Sequence, residues 1–116
     1  MYVDGFLLPV KTDKKEAYRK MAAEASQVFK DHGATAVVEA WGDDVPPGKV
    51  TSFPMAVKLE EGETVVFSWV VWPSRAARDE GNKKVMEDPR MQPTGQEMPF
   101  SMQRMIFGGF QSIVEA

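Results

Sequence analysis

Apolar positions along the chain follow two periods, and the places where one gives way to the other divide it into strands and helices. Met1 to Val10 is a short apolar run with aromatic and β-branched residues that ends at a proline, which predicts a first strand. From Asp13 the spacing changes to three and four, with Tyr18, Met21, Ala22, Ala25, Val28 and Phe29 on one side and Lys15, Arg19, Glu24 and Lys30 on the other. That predicts an amphipathic helix over 13–32, opened by an Asp13/Glu16 capping box and stopped at Gly33, where a left-handed residue is common. Thr35 to Trp41 reads as a second strand, followed by a turn-rich stretch, Gly42-Asp43-Asp44-Val45-Pro46-Pro47-Gly48. A long connection then runs to about Thr64, with Ser52 to Val57 readable as a helical turn or an edge segment.

Val65 to Trp72 is a strand that is apolar on both parities. Ser74 caps a second helix that ends at Asp88-Pro89, because the residue before a proline resists the helical region, and its apolar stripe of Ala77, Gly81 and Val85 is thin. Arg90 to Ser101 is a loop rich in Met, Pro and Gln, and Gln103 to Glu115 is a last strand whose Gly108-Gly109 pair suggests a bulge. The order βαββαβ predicts one α+β domain over 1–116, a ferredoxin-like sandwich with a four-stranded antiparallel sheet and two helices on one face. A strand without a wet parity implies that the other face is covered too, and pairing of two copies through their sheets covers it economically.

Composition narrows the chemistry. The net charge of −3 leaves no clustered basic surface for a phosphate backbone, so nucleic acid is not expected as a partner. The topology is also that of RNA-recognition domains, with Phe67 and Trp69 at stacking spacing, but the basic and glycine positions of that motif are missing from Val65 to Trp72. The count of 0 cysteines removes disulfides, thiolate catalysis and thiolate metal sites. No run approaches the roughly 20 apolar residues of a membrane span, and no secretory leader pattern precedes Lys11, so the expectation is a cytoplasmic protein without membrane partners. Phosphate-binding glycine loops and nucleophile elbows are absent from the sequence, and neither a cofactor nor a metal is expected.

Five residues stand out as ligand-pocket candidates: Asp4, Glu39, Trp41, Trp69 and Arg104. Asp4 is a carboxylate among apolar neighbours, on the parity of Tyr2 and Phe6; it reads either as a general base or ligand anchor, or as one half of an ion pair. Glu39 and Arg104 could bind a small acid or orient a carbonyl, or could protect edge strands from aggregation. Trp41 and Trp69 could line an aromatic pocket, or belong to core and interface. His32, the single histidine, fits a helix C-cap better than a metal ligand, since no other ligands cluster with it.

Several stretches together resemble a known bacterial family: Tyr2-Val3-Asp4-Gly5-Phe6, Gly42 to Pro54, Glu61 to Trp69, Lys84-Val85-Met86, Met98-Pro99-Phe100 and Arg104 to Phe110. They resemble the domain of unknown function 1428. The resemblance implies the dimeric α+β barrel superfamily, in which two ferredoxin-like units pair their sheets, and it transfers no catalytic residue. Two functional readings follow. One is a homodimer that binds a small, mainly apolar molecule in a cavity between sheet and helices, with or without transforming it, and without a metal. The other is an interaction or regulatory module that uses the 42–63 and 90–101 loops.

Overall fold

A computed structural model describes residues 1–116. Strands β1 (Tyr2–Lys11), β2 (Ala36–Trp41), β3 (Glu63–Trp72) and β4 (Ile106–Gln111) alternate with helices α1 (Lys15–Asp31), α2 (Phe53–Ala56) and α3 (Arg75–Glu87). All pairings are antiparallel, in the order β2-β3-β1-β4. The register places Tyr2 opposite Trp72, Asp4 opposite Val70 and Leu8 opposite Val66, so the even residues of β1 and β3 share one face.

That face carries the core. Leu8, Val10 and Val66 pack against Tyr18 and Ala22 of α1, while Tyr2, Val70 and Trp72 pack with Ala34. The α1 stripe is therefore the one its spacing predicts, with Tyr18, Ala22 and Val28 buried. Its start is different. A short 3-10 turn over Thr12–Lys14 precedes it, and the cap residue Lys14 receives no side-chain bond, so Asp13 and Glu16 form no capping box. In α3 the Ser74 hydroxyl accepts from the Ala77 amide at 3.1 Å, as an N-cap should.

Gly81 sets the distance between α3 and the sheet. A Cβ there would lie 2.2 Å from the Trp72 ring and 2.7 Å from the His32 carbonyl oxygen, so only glycine admits the fully buried Trp72. The Gly108-Gly109 pair makes no bulge, since the register runs unbroken from Leu7↔Ile106 to Tyr2↔Gln111. Its small residues leave room instead. Over Gly109, a Cβ would strike the Arg78 guanidinium and the Tyr2 hydroxyl, and the Phe110 ring lies close to Gly5 and Gly108. The last strand is also shorter than its composition suggests, because beyond Gln111 no partner continues the ladder and the chain is held only by Ser112 and Glu115 on the Met1 amine and carbonyl.

The sheet is open, and this corrects the expected α+β barrel. Strands β2 and β4 are its two edges and do not pair with each other. Two strands separate them, a spacing of about 14 Å at 4.8 Å per step, whereas closure requires the edge strands to hydrogen-bond with a fixed stagger. The feature that suggested a sheet covered on both sides is nonetheless real. The odd residues of β1 and β3, with Val38, Ile106 and Phe110 of the edges, form a second face that is almost wholly apolar. Only α2 leans on it, through Phe53 on Phe67 at 5.8 Å between ring centres.

Candidate functional site

Asp4 is the most enclosed of the carboxylates singled out in the sequence, only 7% exposed near the start of β1. Trp72 Nε1 donates to its Oδ2 at 3.1 Å and Asn82 Nδ2 to the same oxygen at 3.3 Å. Its other oxygen, Oδ1, faces Arg78 Nε at 3.5 Å. The Arg78 guanidinium lies over the Tyr2 ring, 4.8 Å from its centre, and Nη2 donates to the Tyr2 hydroxyl at 2.7 Å. The bond to Tyr2 raises the Arg78 pKa, with Asp4 adding to the effect, so the guanidinium is charged throughout the working range. Its Nε is buried without a hydrogen bond of good geometry. Arg78 thus has donor capacity that Asp4 and Tyr2 do not use.

Immediately along the sheet from this cluster the surface becomes aromatic. Phe6 and Phe107 are opposite each other on β1 and β4, on the helical face, and their rings stack at 6.2 Å. Phe107 is 72% exposed. An apolar shelf therefore adjoins a buried carboxylate, a guanidinium with a spare donor, a phenol and an amide. This is the arrangement of a site that holds an apolar body and fixes it by one polar atom.

The remaining candidates lie elsewhere. Glu39 is on the helical face of edge strand β2, where Tyr18 donates to its Oε1 at 2.6 Å. The residue is exposed at the edge, but its carboxylate is drawn inward, and desolvation raises its pKa although the Tyr18 bond opposes that. Burial first, and the Glu39 carboxylate second, push the Tyr18 phenol far above its ordinary value, so it stays a donor. From Asp4 to Glu39 is two strands across and two residues along, about 12 Å between Cα positions. They are separate sites.

Arg104 forms a two-toothed pair with Glu63, at 2.7 and 2.6 Å, and also donates to the Lys58 carbonyl at 3.1 Å. It clamps the long connection to the end of β3, far along the sheet from Asp4. Trp41 receives the Lys15 ammonium over its ring at 5.2 Å. Trp69 is on the opposite, open face, edge-on to Phe67. His32 is the C-cap residue of α1, and its Nε2 lies 2.9 Å from Asp88 Oδ2, in a network with Arg90 and Asp31 that joins the ends of the two long helices. No group of three or more His, Cys, Asp and Glu side chains is placed to hold a metal ion.

Phe107, one of the aromatics that the sequence offers for a pocket, joins the Asp4 cluster, and Tyr2, Phe6, Arg78 and Asn82 complete it without being candidates from the sequence. A signal for two of them exists. Arg78, Gly81, Asn82 and Val85 follow the spacing of a core-facing helical stripe, and two polar residues on such a stripe mark a polar site against the sheet.

On the open face, the ends of β2 and β3 and the connection enclose a shallow concavity of about 230 Å³, lined by Ala40, Phe53, Val65 and Phe67 together with Asp43 and Asp44.

Comparison with known proteins places these features in a family context. The model of a family described as protein of unknown function (DUF1428) matches residues 1–102. Relatives described as uncharacterized protein YbaA, from Escherichia coli K12 and from Shigella flexneri, are each 58% identical over 114 residues, covering 98% of this chain and 97% of the relative.

Proposed function

Because the chain belongs to the DUF1428 family, whose description assigns no activity, its own geometry carries the functional reading, and we propose that it binds a small, mainly apolar molecule between sheet and helices. The observation that supports this most is the exposed Phe6/Phe107 shelf beside the buried Asp4 and the under-used Arg78. The apolar body would lie on the two rings, and one acceptor atom would take an Arg78 Nη hydrogen that Tyr2 does not use, since the unpaired Nε is buried. Asp4 and Asp79 both face Arg78, at 3.5 Å each, so a third negative charge is disfavoured there. A neutral carbonyl or amide oxygen fits better than a carboxylate. Of the five sequence candidates, only Asp4 is assigned to this pocket.

The reading includes an assembly. Val38, Phe67, Ile106 and Phe110 are 36, 43, 44 and 63% exposed on the open face, and their combined apolar patch is on the order of several hundred Å². Two copies that bring these faces together would form a cytoplasmic homodimer in which each sheet keeps its own free edges.

The pocket is tested by titrating acetophenone and benzamide into the protein while following backbone amide resonances. Saturable shifts are expected at Phe6, Asn82, Phe107 and Gly109, reduced at least about tenfold in affinity by Phe107→Ala, which removes an exposed ring, and by Arg78→Ala. Shifts that never saturate, or affinities equal in all three proteins, would remove this site from consideration.

A further inference from the structure

The Tyr2 hydroxyl uses only half of its hydrogen-bonding capacity. Arg78 Nη2 donates to it at 2.7 Å, but the hydroxyl donates to no group of the protein, although Tyr2 is only 8% exposed. A hydroxyl so enclosed ordinarily finds partners as donor and as acceptor. Arg78 is in a similar condition. One Nη2 hydrogen goes to Tyr2 and Nη1 faces Asp79, which leaves the second Nη2 hydrogen without an acceptor. Both polar atoms stand over Gly109, where a Cβ would strike Tyr2 Oη and Arg78 Nη2 together. Gly109 is opposite Asp4, and Phe107 is the next residue on the same face of β4, opposite Phe6. Two residues of strand span about 7 Å. Two unused donors thus stand side by side at the end of the aromatic shelf.

We infer that Tyr2 and Arg78 clamp one oxygen between them, and that the ligand is an aryl carbonyl compound, a ketone or amide conjugated with the ring that lies on Phe107. This rests on the pocket proposed above and names the residue that selects its ligand. A carbonyl oxygen carries two lone pairs in one plane and accepts from both donors at once. Accepting from a guanidinium also polarises the Tyr2 hydroxyl and strengthens the bond that it donates. An aryl ether of the same size is a weaker acceptor, because its lone pair is delocalised into the ring. The clamp therefore distinguishes ligands of one shape by the oxygen they carry, while the shelf holds their rings alike. Its chemical consequence is a carbonyl group drawn towards C–O single-bond character, since both donors pull electron density onto the oxygen.

The test titrates carbonyl-13C acetophenone, anisole and ethylbenzene into the full chain, and reads backbone amides together with the infrared band of the bound carbonyl. Wild type is expected to bind acetophenone at least about tenfold more tightly than ethylbenzene, with anisole close to ethylbenzene. Tyr2→Phe removes only the hydroxyl. It is expected to lower the acetophenone-to-ethylbenzene affinity ratio about fivefold and to move the carbonyl band to higher wavenumber. Gly109→Ala keeps both donors but displaces them, and should lower the same ratio. An unchanged ratio and an unmoved band in Tyr2→Phe would overturn the clamp, and saturable ethylbenzene shifts at Phe6 and Phe107 would then leave the pocket standing. No saturable shift with any of the three compounds would remove pocket and clamp together.

Discussion

At the scale of single residues, side-chain volume and ionisation decide most of what can be tested. Gly81→Ala would ordinarily stabilise a helix by about 1 kcal/mol, but here the added methyl meets the Trp72 ring and a backbone oxygen. The clash wins, and a net loss of about 2 kcal/mol is expected in urea unfolding. Ionisation gives opposite signs at two places. Asp88 and Asp31 are held below the usual carboxylate range, chiefly by Arg90, and Glu63 by Arg104. Their stabilisation is present above the unfolded values of 3.8 and 4.5 and is lost as pH falls below them. Glu39 has a raised folded pKa, so between its unfolded value of 4.5 and its folded value the native state binds more protons, and stability falls as pH rises. Glu39→Gln should remove that decline: its melting temperature is expected to match wild type near pH 4 and to exceed it at pH 7. A variant less stable than wild type at pH 7 but not at pH 4 would reverse the assignment.

Elements depend on a few anchored contacts. The connection from Gly42 to Gly62 holds only the one-turn α2, and its far end is fixed by Arg104 on Glu63 and on the Val57 and Lys58 carbonyls. Arg104→Ala leaves Glu63, whose side chain is 9% exposed, without its partner. A loss of stability is expected in urea unfolding, smaller than for a fully buried pair because Arg104 itself keeps some solvent contact. Amide hydrogen exchange should accelerate across Val57–Glu63 and stay unchanged in the middle of β1. Uniform acceleration would mean that Arg104 supports the whole fold rather than the connection. The element pattern itself was legible in sequence, because periods of two and of three to four are local properties of the chain. Element ends were less so. The Asp13/Glu16 box was not formed, since the 3-10 turn over Thr12–Lys14 carries the chain into α1 by another route, and Gly108-Gly109 clear space for Arg78, Tyr2 and Phe110 where a bulge was expected.

For the whole molecule, the two faces of one sheet differ, and the proposed pairing of two copies uses the open one. Wild type is expected to sediment near 26.0 kDa, twice its mass of 13.0 kDa. Trp69→Asp, on the open face beside Phe67, should give a folded monomer. A monomeric wild type would refute the pairing, and an unaltered dimer in the variant would move the interface elsewhere. What the sequence determined by itself was the order of elements, the α1 core stripe, the Ser74 cap and the apolar character of both faces of β3, all of which follow from spacing along one chain. Only the tertiary structure decided that the sheet stays open, and which charged residues meet. Strand pairing and helix packing bring together residues far apart in sequence, such as Asp4 with Trp72, Arg78 and Asn82, or Arg104 with Glu63, and no local period encodes such distances. For the same reason the five candidates, equivalent as isolated polar or aromatic residues in strands, became a polar cluster, an edge pair, a cation-capped ring, an open-face aromatic and a clamp.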